Sequence, residues 1–165
     1  MATPSSKIVL DHNILASLTE EWKSQGHKVV FTNGCFDLIH LGHIQYLREA
    51  ADQGQKLVVA LNADASVARL KGPHRPINNE QTRLEVMAAF EFTDAVTLFT
   101  EDDPYALIQK IKPNVLVKGG DWAVEQIVGS DVVLAAGGTV KSLTFAPGYS
   151  TTLLEQKIIK AHQKM

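Results

Sequence analysis

The 165-residue chain has a single cysteine, Cys35, so no intrachain disulfide can form. It also lacks long apolar stretches. No run approaches the roughly 20 residues that span a bilayer, and the opening Met-Ala-Thr-Pro-Ser-Ser-Lys has no apolar signal core. A cytoplasmic, soluble protein without a membrane partner is therefore expected. Charge of one sign is scarce: the formal net charge is −2, so no global basic field recruits nucleic acid. Local basic patches for small anions remain open. There is no Walker lysine loop and no complete GxGxxG run, which argues against a P-loop ATPase and a dinucleotide dehydrogenase. No internal repeat, low-complexity tract or linker divides the chain. Its 45% hydrophobic and 21% charged content suits one globular domain over residues 1–165, with residues 1–6 expected to be disordered.

What is present alternates. Val29-Val30-Phe31 reads as a buried strand, broken at Asn33-Gly34, with Leu38, Leu41, Ile44 and Leu47 following at helical spacing. Before it, Asp11 is a cap for a helix over 12–25, which Gly26 ends. Further strands are predicted at 57–61, 95–99, 115–117 and 140–145. Helices are predicted at 65–70, 80–91, 104–111, 123–136 (split at Gly129) and from Ser150 onward, with Thr152 and Glu155 as a capping box. Residues 71–79, with two prolines and a glycine, read as a loop. Strands that alternate with helices imply an α/β, Rossmann-like, doubly wound parallel sheet of five strands, expected in the common order 3-2-1-4-5. Ligands bind such sheets beyond the carboxyl ends of the strands, at the switch point. Asn33-Gly34 and Gly119-Gly120 then face each other across one crevice.

His40-Leu41-Gly42-His43 opens the helix after the first strand. A helix front carries unpaired N–H groups and a partial positive charge, so two imidazoles there suit nucleotide phosphates, with Gly42 leaving room. The competing readings are two exposed polar residues or a zinc site with Cys35 as a third ligand; a single cysteine makes a poor zinc set. Cys35 itself is either a thiol nucleophile or, more simply, a backbone contact in the turn with Gly34 and Phe36. Asp37 orients the turn or caps the helix. Arg69, Lys71 and Arg75 are either a solvated surface or a phosphate-binding lid. Arg83 is an exposed helix residue or a substrate clamp. Lys118-Gly119-Gly120-Asp121-Trp122 is a turn or part of a nucleotide site. Ser150-Thr151-Thr152 caps a helix and also offers hydroxyls and amides to a triphosphate.

Gly34-Cys35-Phe36-Asp37 with His40-Leu41-Gly42-His43 and Ser150-Thr151-Thr152 resembles the cytidylyltransferase-like nucleotidyltransferases, over residues 28 to 160. A longer set, Asn62 to Ser66, Arg69 to Gly72 with Arg75-Pro76, and Val117 to Asp121, is similar to the heptose 1-phosphate adenylyltransferase subgroup, in a free-standing form. The resemblance implies transfer of AMP from ATP to a sugar phosphate, with Mg²⁺, to give an ADP-heptose for lipopolysaccharide or a related glycan. By position it implies His40, His43 and Lys71 as catalytic residues. Gly34, Cys35, Phe36, Lys118 to Trp122 and Ser150 to Thr152 join both histidines in binding nucleotide. Asp37, Asp64, Arg75 and Arg83 bind substrate, and Asp64 or Asp121 helps hold the metal. A homo-oligomer is common in the family. The related cytidylyltransferases carry an arginine shortly before Ser-Thr-Thr, but residues 145–149 here are Phe-Ala-Pro-Gly-Tyr, so that role does not transfer. The alternatives are a CTP-dependent enzyme acting on glycerol 3-phosphate or a similar small phosphate, a non-catalytic nucleotide sensor, and a zinc-binding thiol protein.

Overall fold

The structure, a computed structural model, describes residues 4–163. Five strands form one sheet: β1 (Val29–Gly34), β2 (Lys56–Asn62), β3 (Ala95–Phe99), β4 (Val115–Gly119) and β5 (Thr139–Leu143). Every neighbouring pair is parallel and the order is β3-β2-β1-β4-β5, as the alternation requires. Among the described residues seven α-helices accompany them: α1 (His12–Ser24), α2 (Leu41–Ala51), α3 (Asp64–Lys71), α4 (Glu80–Ala88), α5 (Tyr105–Ile111), α6 (Ser130–Ala135) and α7 (Thr151–Gln163).

The strands are apolar on both faces because both faces are covered. Val30, Leu57, Val59 and Leu61 pack with Leu47, Leu84 and Met87 of α2 and α4. The alternate residues Val29, Phe31, Val58 and Ala60 pack with Leu15, Ile108, Ile111 and Val133 of α1, α5 and α6. Period-two alternation thus feeds two cores instead of one core and a wet face. Asp11 caps α1 by accepting from the Asn13 and Ile14 amides. Asn79 caps α4 through the Thr82 amide at 2.9 Å. Gly129, at φ +85°, separates a 3-10 turn at Val124–Gln126 from α6, so the expected split falls where sequence places it.

Some details differ. Residues 1–3 of the stretch expected to be disordered lie outside the described residues, while Pro4–Lys7 form a 3-10 turn. Lys7 Nζ donates to the Phe90 carbonyl at 2.9 Å and Ile8 bridges to Val96 beside β3. The helix expected over 80–91 stops at Ala88. Ser150, not Thr152, caps α7: its Oγ accepts from the Leu153 amide at 3.1 Å, and Glu155 turns instead to Arg75. Among the described residues, no helix is long and apolar enough to cross a membrane.

Candidate active site

The strand order reverses between β1 and β4, while both strands run parallel, so their carboxyl ends border the switch-point crevice. β1 runs through Gly34, and the sharp turn falls at Phe36, whose φ is +47°. Such a backbone is strained for a non-glycine residue, so something must hold it. Arg83 does. Its side chain is fully buried and donates to the Cys35 carbonyl at 2.8 Å, the Asn78 carbonyl at 3.1 Å and Asp64 Oδ1 at 2.7 Å. Arg83 and Asp64 therefore hold one another and the turn; the structure does not bring the Arg83 guanidinium to the crevice. Helix periodicity alone leaves Arg83 on the polar side, which is why sequence reads it as exposed or as a clamp.

Asp37 has a scaffolding place as well. Its buried carboxylate accepts from the Ile77 and Asn78 amides, both at 2.7 Å, and from Arg75 Nε at 3.0 Å. Burial pushes this carboxyl up, but the Asn78 and Ile77 amides and the Arg75 guanidinium outweigh it and hold the group below the usual carboxylate range. The contacts stitch the 72–79 loop to the turn after β1.

Two cavities open at this edge. One, of about 180 Å³, is bordered by Gly34, Cys35, Phe36, His43, Lys71, Gly119, Phe145 and Thr151. The second, of about 470 Å³, is bordered by Asn62, Asp102, Asp103, Trp122, Gln126 and Val128. They share Asn33, Gly34, Cys35, Lys71 and Lys118. Residues as far apart in sequence as Asn33 and Thr151 thus meet around one opening. Phe145, Tyr46, Asp102, Asp103 and Gln126 are lining residues that sequence reading misses. For Phe145 the signal is its place just before Ser-Thr-Thr, seen only as a missing arginine.

The histidines are not equivalent. The His40 amide donates to His43 Nδ1 at 3.4 Å, so the neutral ring of His43 carries its proton on Nε2. Burial, together with the charges of His40 and Lys71, lowers His43 to about 4 from 6.5. The two rings stack with centroids 3.8 Å apart. His40 is lowered by burial too, and its Nδ1 has no hydrogen-bond partner among the described residues. It borders a separate small cleft with Tyr149, Ser150 and Leu154. Without ligand, both histidines are neutral N–H donors near pH 7. A Cβ on Gly42 would lie 3.0 Å from both His40 Nδ1 and Tyr149 Cβ, so Gly42 admits Tyr149 against the helix front.

Lys71 is exposed at the end of α3, just before Gly72 at φ +101°, rather than inside the loop. Arg69 borders neither cavity and pairs with Asp102 at 2.8 Å and the Thr100 carbonyl at 2.7 Å. Burial pushes the Lys118 amine down, opposed by the nearby Cys35. Trp122 Nε1 donates to the Gly119 carbonyl at 3.1 Å, laying the indole over the glycine turn. Asp121 and Thr152 are exposed and border neither cavity. Among the described residues no three His, Cys, Asp or Glu side chains gather into a metal cage, so the zinc alternative has no ligand set.

The sequence profile of the family described as Cytidylyltransferase-like matches residues 31–157. The chain is 51% identical over 148 residues to "Bifunctional protein HldE" of Geobacter metallireducens, covering 90% of this chain and 30% of that protein. It thus spans about a third of the length of the curated relatives it matches. A lipopolysaccharide core biosynthesis protein from Thermoplasma volcanium, of known crystal structure, is 31% identical at TM-score 0.58, covering 73% of this chain and 98% of that one. A pantoate-β-alanine ligase of Francisella tularensis shares the fold at TM-score 0.60 and 15% identity, covering 83% of this chain and 66% of that one. Fold and profile together define a nucleotidyltransferase. The chain belongs to the cytidylyltransferase-like family.

Proposed function

We propose that the chain transfers AMP from ATP to a heptose 1-phosphate, releasing pyrophosphate and forming an ADP-heptose for lipopolysaccharide core or a related surface glycan. The carrying observation is the crevice where the His43 ring, Lys71, Lys118 and Thr151 of α7 converge. Each group suits a polyphosphate. Support for the sugar comes from the longer motif set and from the Thermoplasma relative, a lipopolysaccharide core biosynthesis protein.

The attacking atom is an oxygen of the sugar phosphate, anionic at neutral pH, so no general base is required. The difficulty is bringing two anions together, which positioning and electrostatics relieve. Attack is in line: a P–O bond forms at the α-phosphorus as its bond to the bridging oxygen breaks, and pyrophosphate leaves with the electron pair. No covalent enzyme intermediate is involved. His43 Nε2–H, Lys71 and Lys118 oppose the charge that develops, each such group being worth on the order of 3 kcal/mol, or about a hundredfold in rate. His40 orients His43 through its amide and supports it by stacking.

Magnesium enters this reading with ATP, as part of the substrate. Asp64 is engaged by Arg83 and Asp121 lies outside both cavities, so neither offers a built metal site. Mg²⁺ commonly keeps water and substrate phosphates as its ligands, which fits that arrangement.

The CTP-dependent alternative is weakened because residues 145–149, Phe-Ala-Pro-Gly-Tyr, hold no basic residue before Ser-Thr-Thr, and Phe145 brings an aromatic ring against Gly119. The deciding experiment is pyrophosphate release with heptose 1-phosphate, with ATP or CTP and with or without Mg²⁺. Release that requires ATP, sugar and metal supports the proposal. Release with CTP moves the chain to another subgroup. Nucleotide binding without release points to the sensor.

A further inference from the structure

Among the segments that border the smaller cavity are the turn after β1, the loop that follows Lys71, and the front of α7. One guanidinium joins them. Arg75, in the loop, donates through Nε to Asp37 in the turn at 3.0 Å and through Nη1 to Glu155 of α7 at 2.6 Å. The Arg75 and Asp37 side chains are 16% and 1% exposed, so this tie is largely screened from water. Glu155 is 30% exposed and borders no cavity described above.

α7 needs such a tie. No residue of it is buried among those described, and Leu153, Ile158 and Ile159 are exposed. Among the described residues, Arg75–Glu155 is its ion pair to another element. Yet Thr151, one turn before Glu155, borders the cavity beside His43. A weakly packed helix cannot hold a hydroxyl and its front amides in place by burial alone.

We infer that Glu155 is a positioning residue: acting through Arg75 and Asp37, it fixes the front of α7 against the loop and the turn, and so controls nucleotide affinity without touching nucleotide. This rests on the phosphate-binding reading of the crevice. Arg75 and Asp37 themselves border this cavity, so Arg75 is a joint between segments as well as a lining residue, with two carboxylates sharing its charge.

The test compares wild type with Glu155→Gln and Glu155→Asp. Amide hydrogen exchange at Leu153 and Leu154 is read without ligand, MgATP affinity by calorimetry, and the melting temperature as a control. For Glu155→Gln we expect exchange at those amides and the Kd for MgATP each to rise about tenfold, as loss of one charged hydrogen bond implies, with the melting temperature nearly unchanged. Glu155→Asp, keeping the charge, should recover most of both. Unchanged exchange in Glu155→Gln overturns the inference. So does faster exchange with unchanged affinity, which would leave the pair merely structural. If wild type binds neither ATP nor CTP, the proposed function fails separately, and the exchange result alone decides whether Glu155 holds the helix.

Discussion

The backbone amide of His40 donates to Nδ1 of His43, and this one bond decides where the His43 proton sits. It sends the ring proton to Nε2, while burial, together with the His40 and Lys71 charges, resists a second proton. The linkage has a definite sign. His43 is lowered from 6.5 to about 4 in the folded chain, so the unfolded chain binds more protons between those values. The stability contribution is fully present above pH 6.5 and is lost as pH falls toward 4. A shift of that size would correspond to about 3 kcal/mol for a buried group; partial exposure of the ring reduces the expected loss to roughly half. Urea unfolding of wild type and His43→Gln at pH 7, 5.5 and 4 checks this. Wild type should lose stability relative to the variant as pH falls, and a constant difference would refute the linkage.

Lys71 and His43 should behave alike in activity and leave the fold intact. Lys71 is exposed at a helix end and His43 sits on the first turn of α2, so neither truncation opens the core. His43→Ala and Lys71→Ala are each expected to lower turnover about a hundredfold. Steady-state pyrophosphate release with parallel melting curves separates chemistry from folding. Near-normal turnover in either variant removes that residue from the mechanism, and a lost unfolding transition assigns it to the scaffold.

Arg83 should show the opposite pattern. Its truncation strips donors from the Cys35 and Asn78 carbonyls and from Asp64, and empties a fully buried site. Arg83→Ala is expected to cost about 3–5 kcal/mol in stability, measured by urea denaturation. Arg83→Lys should recover only part, because one ammonium cannot reproduce a planar guanidinium reaching three acceptors. A stable Arg83→Ala with weakened acceptor binding would restore the clamp reading.

The contrast between Arg83 and the strands explains what the sequence makes legible. Val29 to Phe31 and Leu57 to Leu61 are apolar at every position, so a strand covered on both faces follows from local composition, and the sheet order follows from alternation. His40 to His43 stand out because their neighbours are short and local. Arg83 does not, because its acceptors come from three segments that only the fold assembles. The same holds for the positive φ of Phe36: Gly34 stands close by as the cheaper turn residue, yet it stays in the strand, and its missing Cβ, which would lie 2.9 Å from the Phe36 ring, makes room for that ring instead. Glu155 is legible only as a local partner for Thr152, while the structure draws it to a loop 80 residues away.

Gly119 gives the last test, since its missing side chain is filled by another residue. A Cβ there would lie 2.3 Å from Phe145 Cζ, at the tip of a ring that is 44% exposed. An exposed ring can swing away, so Gly119→Ala should cost little stability, within about 1 kcal/mol. Its effect should fall on the cavity that Phe145 borders. We expect Gly119→Ala and Phe145→Ala to raise the KM for ATP severalfold, with similar melting temperatures. The double variant should be hardly worse than either alone, because both remove the same ring from the same place. Full additivity of the two losses would mean that Gly119 and Phe145 act independently, and that the ring does not close this side of the crevice.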